Sequence, residues 1–129
     1  MKRKTITLLM ITLIAILLNG CNQKSLKPEG ALSVTELLEN PIYDTQTRVY
    51  GKVSALRELA CTCFFLQSEE GNLHVWYDTM VENNGTLRPS VSIDEINNGD
   101  WVVAIGELKS GGDHYSLNDF WLSDIEVMR

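Results

Sequence analysis

The chain has 129 residues, 44% of them hydrophobic and 22% charged, which suits one domain with a single core and is too short for two. Seventeen acidic residues against eleven basic ones give a net charge of −6. An acidic balance speaks against a polyanionic partner, because phosphate binding relies on Lys and Arg displacing counterions.

The N-terminus carries the most specific local signal. Met1-Lys2-Arg3-Lys4 is basic, and Thr5 to Leu18 is an apolar run of 14 residues. A spanning helix needs about 20 apolar residues, so residues 1–20 read as a signal peptide. The run ends in Leu18-Asn19-Gly20-Cys21, which resembles the lipobox of prokaryotic lipoproteins, with Asn19 a less usual choice. The resemblance implies lipid transfer to Cys21, cleavage before it, and a chain held by membrane lipid on the extracytoplasmic face of the cell membrane. Cleavage removes Lys2, Arg3 and Lys4 and no acid, leaving eight basic against seventeen acidic residues and a net charge of −9. Residues 21–31 then form the lipidated Cys and a polar, flexible tether, and the folded domain spans 32–129.

Ser33-Val34-Thr35-Glu36 has capping-box spacing, with Leu32 and Leu37 placed as a hydrophobic staple. The helix it starts is short, because Asn40-Pro41 stops it. Val49, Gly51 and Val53 alternate with Tyr50 and Lys52. The same period of two recurs in Cys63 to Gln67 and in Leu73 to Asp78, the signature of half-buried strands. Glu69-Glu70-Gly71-Asn72 joins the second and third of these as a hairpin loop. Residues 79–100 contain the turn signals Asn83-Asn84-Gly85 and Arg88-Pro89, then a second capping-box spacing at Ser92 to Glu95 that predicts a helical segment. Gly99 to Leu108 supplies a fourth strand and Tyr115 to Val127 a fifth, with a turn at Gly111-Gly112-Asp113 between them.

Five strands with a helical segment between the third and fourth, and a short N-terminal helix ahead of them, resemble the OB-fold. This is a mainly β, partly open Greek-key barrel. Three patterns carry the resemblance: V-x-G-x-V at Val49 to Val53, F-x-L-x-S-x-x-G at Phe64 to Gly71, and G-D-x-V-x-A-x-G at Gly99 to Gly106. The chain looks most like small prokaryotic lipoproteins with a tRNA-anticodon-binding-like OB domain. That likeness is one of fold and licenses no ligand.

With Glu69 to Asn72 as the loop, Phe64 faces Tyr77 and Leu66 faces Val75 on the buried side. On the other side Gln67 meets His74, Phe65 meets Trp76, Cys63 meets Asp78 and Cys61 meets Met80. The candidate ligand face is therefore Phe65, Gln67, His74 and Trp76, with Tyr50 and Lys52 from the first strand. Aromatics there can stack a base or a sugar, or can simply stabilise the sheet as a cross-strand pair. Cys61 and Cys63 are open to three readings: a disulfide, free thiols, or a soft-metal site helped by Met80 and Asp78. In this register His74 cannot share a site with Cys63, and His114 lies in a turn.

No phosphate loop, Ser/His/Asp order or H-E-x-x-H stretch is present, so neither an enzyme nor a cofactor is expected. The expected function is a membrane-tethered extracytoplasmic module binding a protein or small molecule. The alternatives are a single-stranded nucleic-acid binder and a soft-metal or redox protein using Cys61 and Cys63.

Overall fold

The structure, a computed structural model, describes residues 27–110 and 119–128. The expected signal peptide, Cys21, the expected turn at Gly111-Gly112-Asp113, His114 and Tyr115 lie outside the described residues. Pro28 to Ala31 forms a turn, with the Ala31 N–H donating to the Pro28 carbonyl at 3.2 Å. A two-residue strand, β1 (Leu32–Ser33), follows and leads into α1 (Val34–Glu39). The Ser33 hydroxyl caps α1 by accepting from the Glu36 N–H at 3.0 Å. The Glu36 carboxylate completes no reciprocal cap; it pairs with Lys27 at 2.7 Å. Val34 and Leu37 are fully buried, and α1 ends at Glu39, just before Asn40-Pro41.

Five longer strands close the barrel: β2 (Gln46–Ser54), β3 (Cys63–Gln67), β4 (Asn72–Trp76), β7 (Trp101–Leu108) and β8 (Asp119–Val127). The order is β2-β3-β4-β8-β7, and β7 returns to β2. All neighbours are antiparallel except β4 and β8. Alternation sets the inside: Val49 and Val53, Phe64 and Leu66, Leu73 and Val75, and Phe120 and Leu122 all join one core. Leu56, Ile93 and Ile96 complete it from the connections.

Two positions in the expected patterns need glycine for space. A Cβ at Gly51 would lie 2.8 Å from the Gln67 carbonyl oxygen, and one at Gly106 would overlap the Trp121 carbonyl. Gly106 sits where the β7–β8 register shifts, between Ile105 and Gly106, a bulge that bends the strand.

The helical segment expected between the third and fourth barrel strands is not formed. A small hairpin, β5 (Met80–Val81) and β6 (Leu87–Arg88), occupies the first part. Gly85 at φ +83° turns it, and the Asn84 side chain accepts from the Thr86 N–H at 3.0 Å. At the second capping-box spacing the chain makes a single turn, Ile96 N–H to Ile93 carbonyl at 3.0 Å. Ile93 and Ile96 are both drawn into the core, and Gly99, at φ +92°, ends any continuation.

The β3–β4 register also differs from expectation, by two residues. Phe64 pairs with Val75, Phe65 with His74 and Cys63 with Trp76. The turn is Ser68 to Gly71, closed by Ser68 N–H to the Gly71 carbonyl at 3.0 Å. Tertiary contacts select it: the Ser68 hydroxyl accepts from the Thr35 N–H at 3.1 Å. A Cβ on Gly71 would also sit 3.0 Å from Val34.

Candidate functional site on the outer face of β3, β4 and β8

Because Leu73, Val75, Phe120 and Leu122 point inward, alternation places Asn72, His74, Trp76, Asp119 and Trp121 on the outer face. The parallel β4–β8 pairing sets His74 against Asp119 and Trp76 against Trp121. Combined with β3, this gives two rows across the sheet: Phe65–His74–Asp119 and Cys63–Trp76–Trp121.

His74 is the centre of the first row. Its ring lies 5.3 Å from that of Phe65 and 4.9 Å from that of Trp76. Nδ1 is 3.1 Å from Oδ1 of Asp119, which is 2% exposed, and Nε2 is 3.6 Å from Sγ of Cys61. A carboxylate can only accept, so Nδ1 carries the proton and Nε2 faces the sulfur.

Cys61 and Cys63 are joined as a disulfide with their Cα atoms 5.2 Å apart. Cys63 is fully buried, whereas Cys61 is half-buried in the 55–62 connection. Among the described residues, Cys61, Cys63 and His74 form a cluster whose potential ligand atoms lie within 4.8 Å of one another. With the sulfurs joined, the pair offers no thiolate; reduced, the two sulfurs and Nε2 could hold a soft metal. His74, expected to be apart from Cys63, is the residue that joins the cysteines. Asp78 instead accepts from the Thr79 N–H at 2.7 Å, and Met80 pairs with Arg88 in the small hairpin.

The remaining candidate residues do not converge. Gln67 is exposed opposite Asn72, and Lys52 is exposed opposite Gln67 and Trp101. Tyr50 packs against Ala31, Val103 and Ile105. It lines a separate concavity of about 360 Å³ with Ser33, Thr35, Ser68, Glu69, Glu70 and Trp101. Three other basic residues, Arg57, Lys109 and Arg88, are already engaged. Arg57 donates to the carbonyls of Ile93 and Ile96 at 3.1 and 3.3 Å. Lys109 lies 4.6 Å from the Trp121 ring centroid and pairs with Glu82 at 2.8 Å, Glu107 at 3.3 Å and Asp44 at 3.6 Å. Arg88 pairs with Glu82 and Glu107 and donates to Ser123. The hydrogen bond from Lys109 holds the Glu82 carboxyl below its ordinary value. For Lys109, partial burial disfavours the ammonium, but the bonds it donates to Glu82 and Glu107 outweigh it and raise the value.

Asp119 and Trp121 escaped the sequence reading, although the outward half of their strand's alternation carried them. Their place beside His74 and Trp76 depends on the parallel pairing of strands 45 residues apart.

A five-stranded barrel closed in this order, with its third and fifth strands parallel, is an OB-fold. Two solved structures illustrate the likeness. The telomere capping protein Ten1 from Saccharomyces pombe aligns with a TM-score of 0.50 at 12% identity, over 78% of this chain and 81% of that one. The hypothetical protein YgiW from Escherichia coli aligns with a TM-score of 0.51 at 15% identity, over 82% of this chain and all of that one. No family model matches the chain, and the comparison with curated proteins gave no match.

Proposed function

We propose that the chain is an OB-fold binding module, tethered through a lipidated Cys21 to the outer side of a cell membrane, which binds a protein or small molecule without turning it over. The observation that carries this reading is the ring cluster of Phe65 on β3 with His74 and Trp76 on β4. OB domains commonly place ligands on that surface. The Cys61–Cys63 disulfide supports a place outside the cytoplasm, where disulfides persist.

Nucleic acid is the rival ligand. The likeness to a telomere capping protein invites it, and the cations oppose it. Among the described residues, Lys109 and Arg57 are spent on carboxylates and carbonyls, which leaves Lys52 as the one exposed cation of the three that could line a basic groove beside Phe65 and Trp76.

Two experiments test the reading. Palmitate-analogue labelling of cells should mark the wild-type protein and not Cys21→Ala; a labelled Cys21→Ala sinks the tether. Titration of the purified protein with single-stranded DNA and RNA should show no binding at low salt. Micromolar binding that weakens steeply with salt and is lost in Trp76→Ala would replace the proposed ligand class with nucleic acid.

A further inference from the structure

The geometry points to a second property of the same face: we propose that Cys61 and Cys63, with His74 and Asp119, form a thiol–disulfide exchange site that acts on a peptide or protein dithiol. This goes beyond the binding role and does not depend on the tether.

Three features distinguish this pair from a structural cross-link. First, it spans a single residue, Thr62, so it closes a very short loop and removes little unfolded-chain entropy. The ladders β2–β3 and β3–β4 already hold this part of the barrel. Second, the two sulfurs differ in access, with Cys61 half-buried and Cys63 fully buried. An exchange site needs one reachable sulfur to receive the partner and one protected sulfur to resolve the mixed disulfide. Third, the reachable sulfur faces an oriented imidazole. Nε2 of His74 is 3.6 Å from Cys61, and Nδ1 is held at 3.1 Å by the buried carboxylate of Asp119. Nucleophile, base and orienting acid in that sequence of contacts form the arrangement that activates thiols on unrelated folds. The rings of Phe65 and Trp76 flank the imidazole and restrict its rotation.

The exchange balances without an added cofactor. One thiol of the partner gives its proton to His74 Nε2 and attacks Cys61 Sγ. The Cys61–Cys63 bond breaks, and Cys63 leaves with the electron pair. The partner's second thiol gives its proton to the Cys63 thiolate, attacks the partner sulfur of the mixed disulfide and expels Cys61, which takes back the proton held on His74 Nε2. The partner gains a disulfide, the chain gains two thiols, and two electrons and two protons have passed. Run backwards, the Cys61 thiolate attacks a partner disulfide and Cys63 resolves it. Asp119 touches no reacting atom and is a positioning residue.

The test uses the full-length protein in detergent, reduced and then mixed with oxidised glutathione. In the wild type, limiting iodoacetamide should label Cys61 well ahead of Cys63, as read by peptide mass. Cys63→Ser should accumulate a mixed disulfide at Cys61, and Cys61→Ser should react slowly. His74→Gln should slow the attack by about tenfold or more while keeping the unfolding midpoint. Asp119→Asn should slow it less and move the Cys61-to-Cys63 labelling ratio toward parity, a change that looser packing alone would not produce in that direction. Equal labelling of the two cysteines in the wild type would overturn the proposal. So would a folded protein whose disulfide resists dithiothreitol, or unchanged rates in His74→Gln. A reduced protein that takes up one equivalent of zinc or copper(I) and thereby becomes inert to glutathione would also overturn it, in favour of a metal site.

Discussion

The side-chain amide of Asn98 brackets Leu56, accepting from its N–H at 2.8 Å and donating to its carbonyl at 3.2 Å. Leu56 is 2% exposed, so its backbone groups lie away from water and depend on that amide. Asn98→Ala should destabilise the protein by about 2 kcal/mol, the scale of leaving buried polar groups unpaired. A fall in the urea midpoint with little change in slope checks it. The same change should loosen the 55–62 connection, where Ala55 and Arg57 hold positive φ angles of 57° and 62°.

Gly106 offers a harsher test. A Cβ there meets the Trp121 carbonyl carbon at 2.9 Å and overlaps its oxygen, and it also approaches the Phe120 ring at 2.9 Å. Backbone cannot rotate aside as a side chain can. Gly106→Ala should cost about 3 kcal/mol, the upper end of ordinary overpacking, or prevent barrel closure. Thermal unfolding compared with an exposed control such as Gly85→Asn, where a Cβ meets nothing within 4 Å, separates space from composition.

Phe64 is fully buried, with its ring 6.1 Å from that of Tyr77. Phe64→Ala should cost about 3–5 kcal/mol and Phe64→Leu clearly less, because the loss grows with the cavity left behind. Denaturant unfolding of both variants gives the order.

The cluster of Glu82, Arg88, Glu107 and Lys109 predicts a pH dependence with two limbs. The Glu82 carboxyl titrates below its ordinary 4.5 when folded, chiefly through its bond from Lys109. Its contribution is therefore present above that value and is lost as pH falls through the lower folded-state one. Burial opposes the Lys109 ammonium, yet the bonds it donates to Glu82 and Glu107 hold it above 10.5. Its contribution is full below 10.5 and is lost as pH rises through the higher folded-state value. Urea midpoints measured across pH should fall at both ends, and Lys109→Met should flatten both limbs.

Which side chains face inward was legible in the sequence, because period two marks a face without reference to a partner. Which residue sits opposite which was not. A slip of two residues preserves every face, so Phe65 could be set against Trp76 or His74 with the same hydrophobic agreement. The choice is made by Ser68 and Gly71 fitting against Thr35 and Val34, a contact between distant parts of the chain. The same limit hid Asp119, whose meeting with His74 follows from a parallel pairing that no local pattern announces. Ser92 to Glu95 misled for another reason. Its spacing permits a helix start, but burial of both Ile93 and Ile96 consumes the segment in one turn.

The order of pairing has a consequence in time. β2, β3 and β4 can form a meander as soon as residue 76 is available, from contacts between neighbours in sequence. Closure cannot begin so early, because β2 must find β7, and β4 must find β8, across tens of residues of chain. Contacts at such separations slow folding. The rate-limiting event should therefore be the arrival of Trp101 to Val127 on a preformed three-stranded sheet. A chain being synthesised stays open, with His74 and Trp76 lacking their β8 partners Asp119 and Trp121, until the last barrel strand has emerged.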